Sequence, residues 1–156
     1  MTRIDHFDNP DAPKPNSIVA AVSVFVQDGQ GRVLLIQRTD NHLWALPGGA
    51  QEFGEYIAEA AVRETREETG VEVEVTGIVG IYTNPSHVVE YSDGEVRQQF
   101  SICLRARYVS GRPAPSDESS EVRWLAHDEL SDLTIHPSMR LRIDHGLEDR
   151  QQPYIG

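Results

Sequence analysis

Glu64, Glu67 and Glu68 stand close together in the run RETREETG, at positions i, i+3 and i+4. An α-helix turns about 100° per residue, so all three carboxylates project from one side if the run is helical. Like charges spaced this way repel and weaken a helix. A divalent cation would relieve that repulsion, and carboxylate oxygens are the hard ligands that magnesium and manganese prefer. The competing reading is a solvated, Glu-rich helix face, which must also account for Gly49, Glu55 and Arg63 at their fixed places. Arg63 lies four residues before Glu67 and is placed to hold that carboxylate. Glu55 falls at the start of the helix, where a carboxylate meets the positive end of the dipole. Its expected role is structural, and it is not counted as a metal ligand.

The whole stretch from Gly49 to Val71, GAQEFGEYIAEAAVRETREETGV, resembles the box of the Nudix hydrolases. That box has a glycine, five residues, a glutamate, seven residues, then Arg-Glu, an aliphatic residue, any residue, Glu-Glu, any residue, glycine and an aliphatic residue. Gly49, Glu55, Arg63, Glu64, Glu67, Glu68, Gly70 and Val71 match it. Thr65 departs, standing where the first aliphatic residue belongs. It falls inside the apolar stripe Ala58, Ala61, Val62, Thr65 and Thr69, where its methyl can pack and its hydroxyl can bond a carbonyl one turn back.

The resemblance implies an α/β/α sandwich with a mixed central sheet, and magnesium-dependent hydrolysis of a pyrophosphate linkage, with manganese as a possible substitute. It also implies Glu64, Glu67, Glu68 and the Gly48 carbonyl as metal ligands, with Arg63 orienting them. The general base is expected to be Glu67 or Glu68, with Glu118 as the outside choice. Relatives often add a carboxylate from a distal loop. Glu118 is preferred to Glu121 for that part, and Glu90 and Glu95 are weaker alternatives.

Substrate contacts are less sharply marked. Arg38 and Arg97 are candidate phosphate contacts. Trp44, Tyr82 and Phe100 either stack a base or pack as core, with core favoured for Phe100. His136, Arg140 and Arg142 touch a phosphate, pair with acidic neighbours or sit at a subunit contact, and the structural reading is favoured. Pro85, fifteen residues beyond Gly70, resembles the ADP-ribose-cleaving subgroup. The leading substrate class is therefore a nucleoside diphosphate derivative, either ADP-ribose or a nucleotide sugar. The runner-up is pyrophosphate release from a (d)NTP such as 8-oxo-dGTP. A non-catalytic nucleotide sensor would be expected to lose box glutamates, which this chain keeps. An isomerase of the same superfamily would need a reactive cysteine, and Cys103 reads as a buried strand residue.

The elements that must position these groups follow from pattern. Residues 1 to 16 read as a polar arm, and 17 to 156 as a single domain. SIVAAVSVFVQ at 17 to 27 is apolar on both faces, as a strand covered on both sides should be. With the turn DGQG and RVLLIQR at 32 to 38, it forms a hairpin. The box helix spans roughly 55 to 69. Strands are expected at 71 to 75, at 78 to 83 and at 121 to 125. A continuous strand at 96 to 109 should place Phe100, Ile102, Leu104, Ala106 and Tyr108 on one face. Residues 84 to 95 read as a loop or hairpin turn, AHDEL opens a helix, 136 to 147 forms a second, and Pro153-Tyr154-Ile155 is apolar enough to dock back.

Composition narrows the partners. The 156 residues carry a net charge of −11, which disfavours a nucleic acid polymer, because such binding depends on basic surface. No apolar run reaches membrane-spanning length, and the first residues lack an apolar signal core. The single cysteine permits no internal disulfide, in keeping with a cytoplasmic protein. A small nucleotide is the expected partner, and a homodimer is possible.

Overall fold

The computed structural model describes residues 3–156. Its centre is the strand Ala21–Gln27, whose side chains alternate between two cores. Val22, Val24 and Val26 pack with Ala60, Ala61, Val71 and Leu104 on one face. Phe25 packs with Leu35, Cys103, Leu125 and Ile143 on the other. This is the period-two consequence of a strand buried on both sides.

The large sheet runs in the order Ser119–Leu125, Val33–Arg38, Ala21–Gln27, Ser101–Ser110, Glu72–Tyr82, Tyr154–Ile155. Ser101–Ser110 lies parallel to Ala21–Gln27 and antiparallel to Glu72–Tyr82, so the sheet is mixed. Two short strands hang on it, Trp44–Ala45 beside Val33–Arg38 and Gly48–Ala50 beside Ala21–Gln27. The helix Ile57–Thr69 covers one face. The helix Pro137–Glu148 covers the other, and a side chain at Gly146 would strike the Phe25 ring. The result is the expected α/β/α sandwich.

Several local expectations change. Residues Arg3–Phe7 form a strand paired with His87–Tyr91, where a polar arm was expected. With Val96–Gln98 and Ser17–Ile18 they make a second, four-stranded sheet. The expected strand at 17 to 27 therefore divides between two sheets. The expected strand at 96 to 109 also divides, breaking at Gln99–Phe100, where Phe100 is only partly buried. The strands expected at 71 to 75 and 78 to 83 are one, Glu72–Tyr82, bulged against its partner. AHDEL enters a short 3₁₀ helix, His127–Asp132, and the tail docks as the strand Tyr154–Ile155.

The box helix begins at Ile57 and ends on Gly70, which takes the left-handed conformation (φ 77°) that glycine adopts without strain. Its buried stripe is Ala60, Ala61, Thr65, Glu68 and Thr69. Ala58 faces solvent, because the helix docks rotated toward Ala60 and carries Glu68 inward with the stripe. Thr65 donates to the Ala61 carbonyl at 2.8 Å, so the departure from the box pattern is absorbed inside the helix.

Candidate active site

The box glycines bring two strands and a helix into contact. A side chain at Gly48 would collide with the Val22 carbonyl, and one at Gly49 would occupy the place of the Glu64 carboxyl. Only glycine lets this strand approach the helix so closely. Glu68 is 5% exposed, and its Oε1 accepts the Gly48 N–H at 3.1 Å. Burial, with the Glu64 and Glu118 charges nearby, pushes its pKa up to about 9. Burial also raises that of Glu64.

Arg63 organises the other carboxylates. Its Nε and Nη2 donate to both oxygens of Glu55, at 2.6 and 3.0 Å. Nη1 reaches Glu64 at 2.9 Å and Glu67 at 3.3 Å, and Nη2 also bonds the Ala50 carbonyl. The hydrogen bonds to Glu55 and Glu64 hold the guanidinium firmly in its charged form. The expected Arg63–Glu67 pair is thus one arm of a wider clamp. Glu55 serves as the clamp's anchor and accepts the Glu52 N–H.

Beside this helix opens a cleft of about 470 Å³. Gly48, Gly49 and Glu68 form one wall, and Arg38, Trp44 and Glu118 border it. The second sheet contributes Arg3, Asp5, His87 and Arg97, and the second helix adds His136, Ser138 and Arg142. Arg38 is already bound to Asp40 through two hydrogen bonds of 2.9 and 2.7 Å. Arg97 is held by Glu95 and lies over the Tyr91 ring. Trp44 is buried in the core and presents an edge to the cleft. Glu67 is 57% exposed and lies outside the cleft lining. Glu121 is exposed and outside it too, while Glu90 and Glu95 are engaged by His6 and Arg97.

Reading the sequence did not single out Arg3, Asp5, Ser23 or His87 as cleft residues. Asp5 is partly buried, which opposes its ionisation, yet His87 and Arg3 hold its carboxyl well below the usual range. No local spacing marks Arg3, Asp5 or His87, because they reach the cleft only through pairing across some eighty positions. Cys103 is buried, and burial pushes its thiol up to about 11, which suits packing and not proton transfer.

The donor set suits a hard divalent cation. Two carboxyls, Glu64 and Glu68, sit against the adjacent glycines Gly49 and Gly48, and a proton or a bound cation would offset the burial of Glu68. Among the described residues no three acidic, histidine or cysteine side chains already converge as a cage. Magnesium is commonly held by one or two carboxylates together with substrate phosphates, which is the arrangement left open here.

Comparison with known proteins agrees with the fold and the box. The NUDIX domain matches residues 18–145, and the chain belongs to the Nudix hydrolase family. It is 44% identical over 123 residues to a Bacillus subtilis protein carrying an 8-oxo-dGTP diphosphatase assignment, covering 78% of this chain and 74% of that one. It is 46% identical over 112 residues to the ADP-ribose pyrophosphatase of Methanocaldococcus jannaschii, covering 67% of this chain and 60% of that protein. The crystal structure of an ADP-ribose pyrophosphatase from Streptococcus suis superposes with a TM-score of 0.70 at 19% identity, over 90% of this chain and all of that one. That last likeness shows the fold alone. No described helix is long and apolar enough to cross a membrane.

Proposed function

We propose that this Nudix hydrolase cleaves the pyrophosphate linkage of a nucleoside diphosphate derivative, ADP-ribose or a nucleotide sugar, with magnesium as the working cation and manganese as a substitute. The observation that carries the reading is buried Glu68 in the wall of a cleft that arginines also line, with the Glu64 carboxyl against the neighbouring glycine. The similarity to the Methanocaldococcus enzyme supports this substrate class.

Glu64, Glu68 and the Gly48 carbonyl would hold the cation, with Glu67 at the rim. When bound, the cation neutralises phosphate charge and lowers the pKa of a coordinated water. Arg63 fixes the carboxylates, so little reorganisation is needed as substrate arrives. Glu118 borders the cleft beside Glu68, and is placed to accept a proton from an attacking water. Glu67 lies outside the cleft lining and is the second choice for that role.

The similarity to the Bacillus protein keeps (d)NTP hydrolysis as the second reading. Turnover against ADP-ribose, nucleotide sugars, canonical (d)NTPs and 8-oxo-dGTP, with magnesium and with chelator, separates the two. Magnesium-dependent release of a nucleoside monophosphate and a phosphorylated product from the diphosphates supports the first. Pyrophosphate release confined to triphosphates overturns it. Saturable nucleotide binding without turnover would point to a sensor.

A further inference from the structure

Four arginines line the cleft, and three have a carboxylate of their own: Arg3 with Asp5, Arg38 with Asp40, Arg97 with Glu95. Arg142 differs. It is 2% exposed, and no carboxylate among the described residues pairs with it. Its Nη1 donates to the Ser138 carbonyl at 2.7 Å, and its guanidinium carbon lies 4.5 Å from the centre of the Tyr82 ring. Its Nε is buried without a hydrogen-bond partner. Ser23, also on the cleft floor, has a buried hydroxyl in the same condition. A buried, permanently charged fork without a counter-ion is costly to the folded protein, and burial does weaken its hold on the proton. A planar oxyanion is the ligand that this fork matches.

Its location narrows what that oxyanion belongs to. In the sheet, Tyr82 pairs with Ser101, Ser101 with Ala21, and Ala21 with Ala50. The strand that carries Tyr82 is thus on the far side of Ala21–Gln27 from the strand that carries Gly48. We propose that Arg142 binds an oxyanion of the substrate, a phosphate or a carboxylate, with Ser23 lining the cleft beside it. Resting on the hydrolase reading above, this gives the substrate an anchor separate from the carboxylate wall, on the side of the cleft that the second helix lines.

The test uses metal-free protein in chelator, so the carboxylate wall contributes no bound cation. Thermal melts are followed at constant ionic strength with inorganic phosphate, and separately with acetate, for the wild type, Arg142→Met and Arg142→Lys. The wild type should be stabilised saturably by at least one anion, and the stronger of the two shows whether phosphate or carboxylate is taken. Arg142→Met should be at least as stable as the wild type without anion and bind it about tenfold to a hundredfold more weakly, the loss expected for one charge-assisted fork. Arg142→Lys should retain part of the response. An Arg142→Met protein that responds like the wild type, or one that is destabilised or fails to fold, overturns the proposal and makes the guanidinium a structural post. Because this readout needs neither metal nor turnover, it stands or falls apart from the hydrolase reading.

Discussion

Two arginines lie on helices that cover opposite faces of the sheet, and of the two only Arg142 lines the cleft. Arg63, on the box helix, is clasped by Glu55, Glu64 and Glu67 and by a backbone carbonyl. Arg142, on the second helix, is more deeply buried and meets only an aromatic face and one carbonyl. On the first wall Glu64 is paired with Arg63, and buried Glu68 is the carboxyl that calls for a cation. The second lacks an anion. A nucleotide phosphate chain bound with divalent cations would supply both, so the charge pattern of the cleft complements a ligand of that class.

The largest effect that could break this contrast is at the carboxylate wall. Glu68→Gln should fold normally and lose activity by about a hundredfold or more, since it removes an anionic ligand whose neighbours alone typically matter by 10–100-fold. Steady-state turnover within a few-fold of wild type at saturating magnesium would remove the metal site from this helix. Arg63→Lys comes next. A lysine keeps the charge but cannot reproduce the fork, so activity should fall about tenfold to a hundredfold. The magnesium concentration for half-maximal rate should rise with it, and an unchanged magnesium curve would show that the clamp does not position the ligands.

Stability should respond in the opposite sense. The Glu68 carboxyl has its pKa raised to about 9 in the fold from an ordinary value of 4.5. Above the ordinary value the unfolded chain releases this proton while the fold retains it, so metal-free protein should lose stability as pH climbs from about 4.5 toward 9. Chelator melts at acid, neutral and alkaline pH should show that loss, and Glu68→Gln should flatten it and melt higher than wild type at the alkaline end. Equal slopes for the two proteins would mean that Glu68 is not the group held protonated. The smallest effect is expected at Thr65→Val. Its hydroxyl bond to Ala61 lies within the helix, so stability should move by about 1 kcal/mol or less, with turnover unchanged. A large loss of turnover would mean that the departure from the box pattern is functional.

The two walls also differ in how far they could be read from the amino-acid order. The box helix, the glycines before it and the Arg63–Glu67 contact were legible because helical spacing is local and the glycines announce close approach. Ala58 was misassigned because a helical wheel gives relative angles and leaves the docking rotation to the sheet beneath. The second sheet was not legible: Arg3–Phe7 looks like a charged tail until His87–Tyr91 lies against it. Arg142 was legible only as one of several basic residues on a helix. Its significance lies in which side chains are missing around it, and no spacing rule carries that information. Arg38 and Arg97 stood out as basic residues near strand ends, yet each already carries its own counter-ion.

The strand Arg3–Phe7 has a practical consequence. A protease that cut between Phe7 and Ser17, or a shortening that omitted residues 1 to 16, would not remove an inert segment. It would strip Val88 and Val89 of the strand beside them and carry off Arg3 and Asp5 from the rim of the cleft. Trimming undertaken to tidy the protein would leave an enzyme with a wall missing.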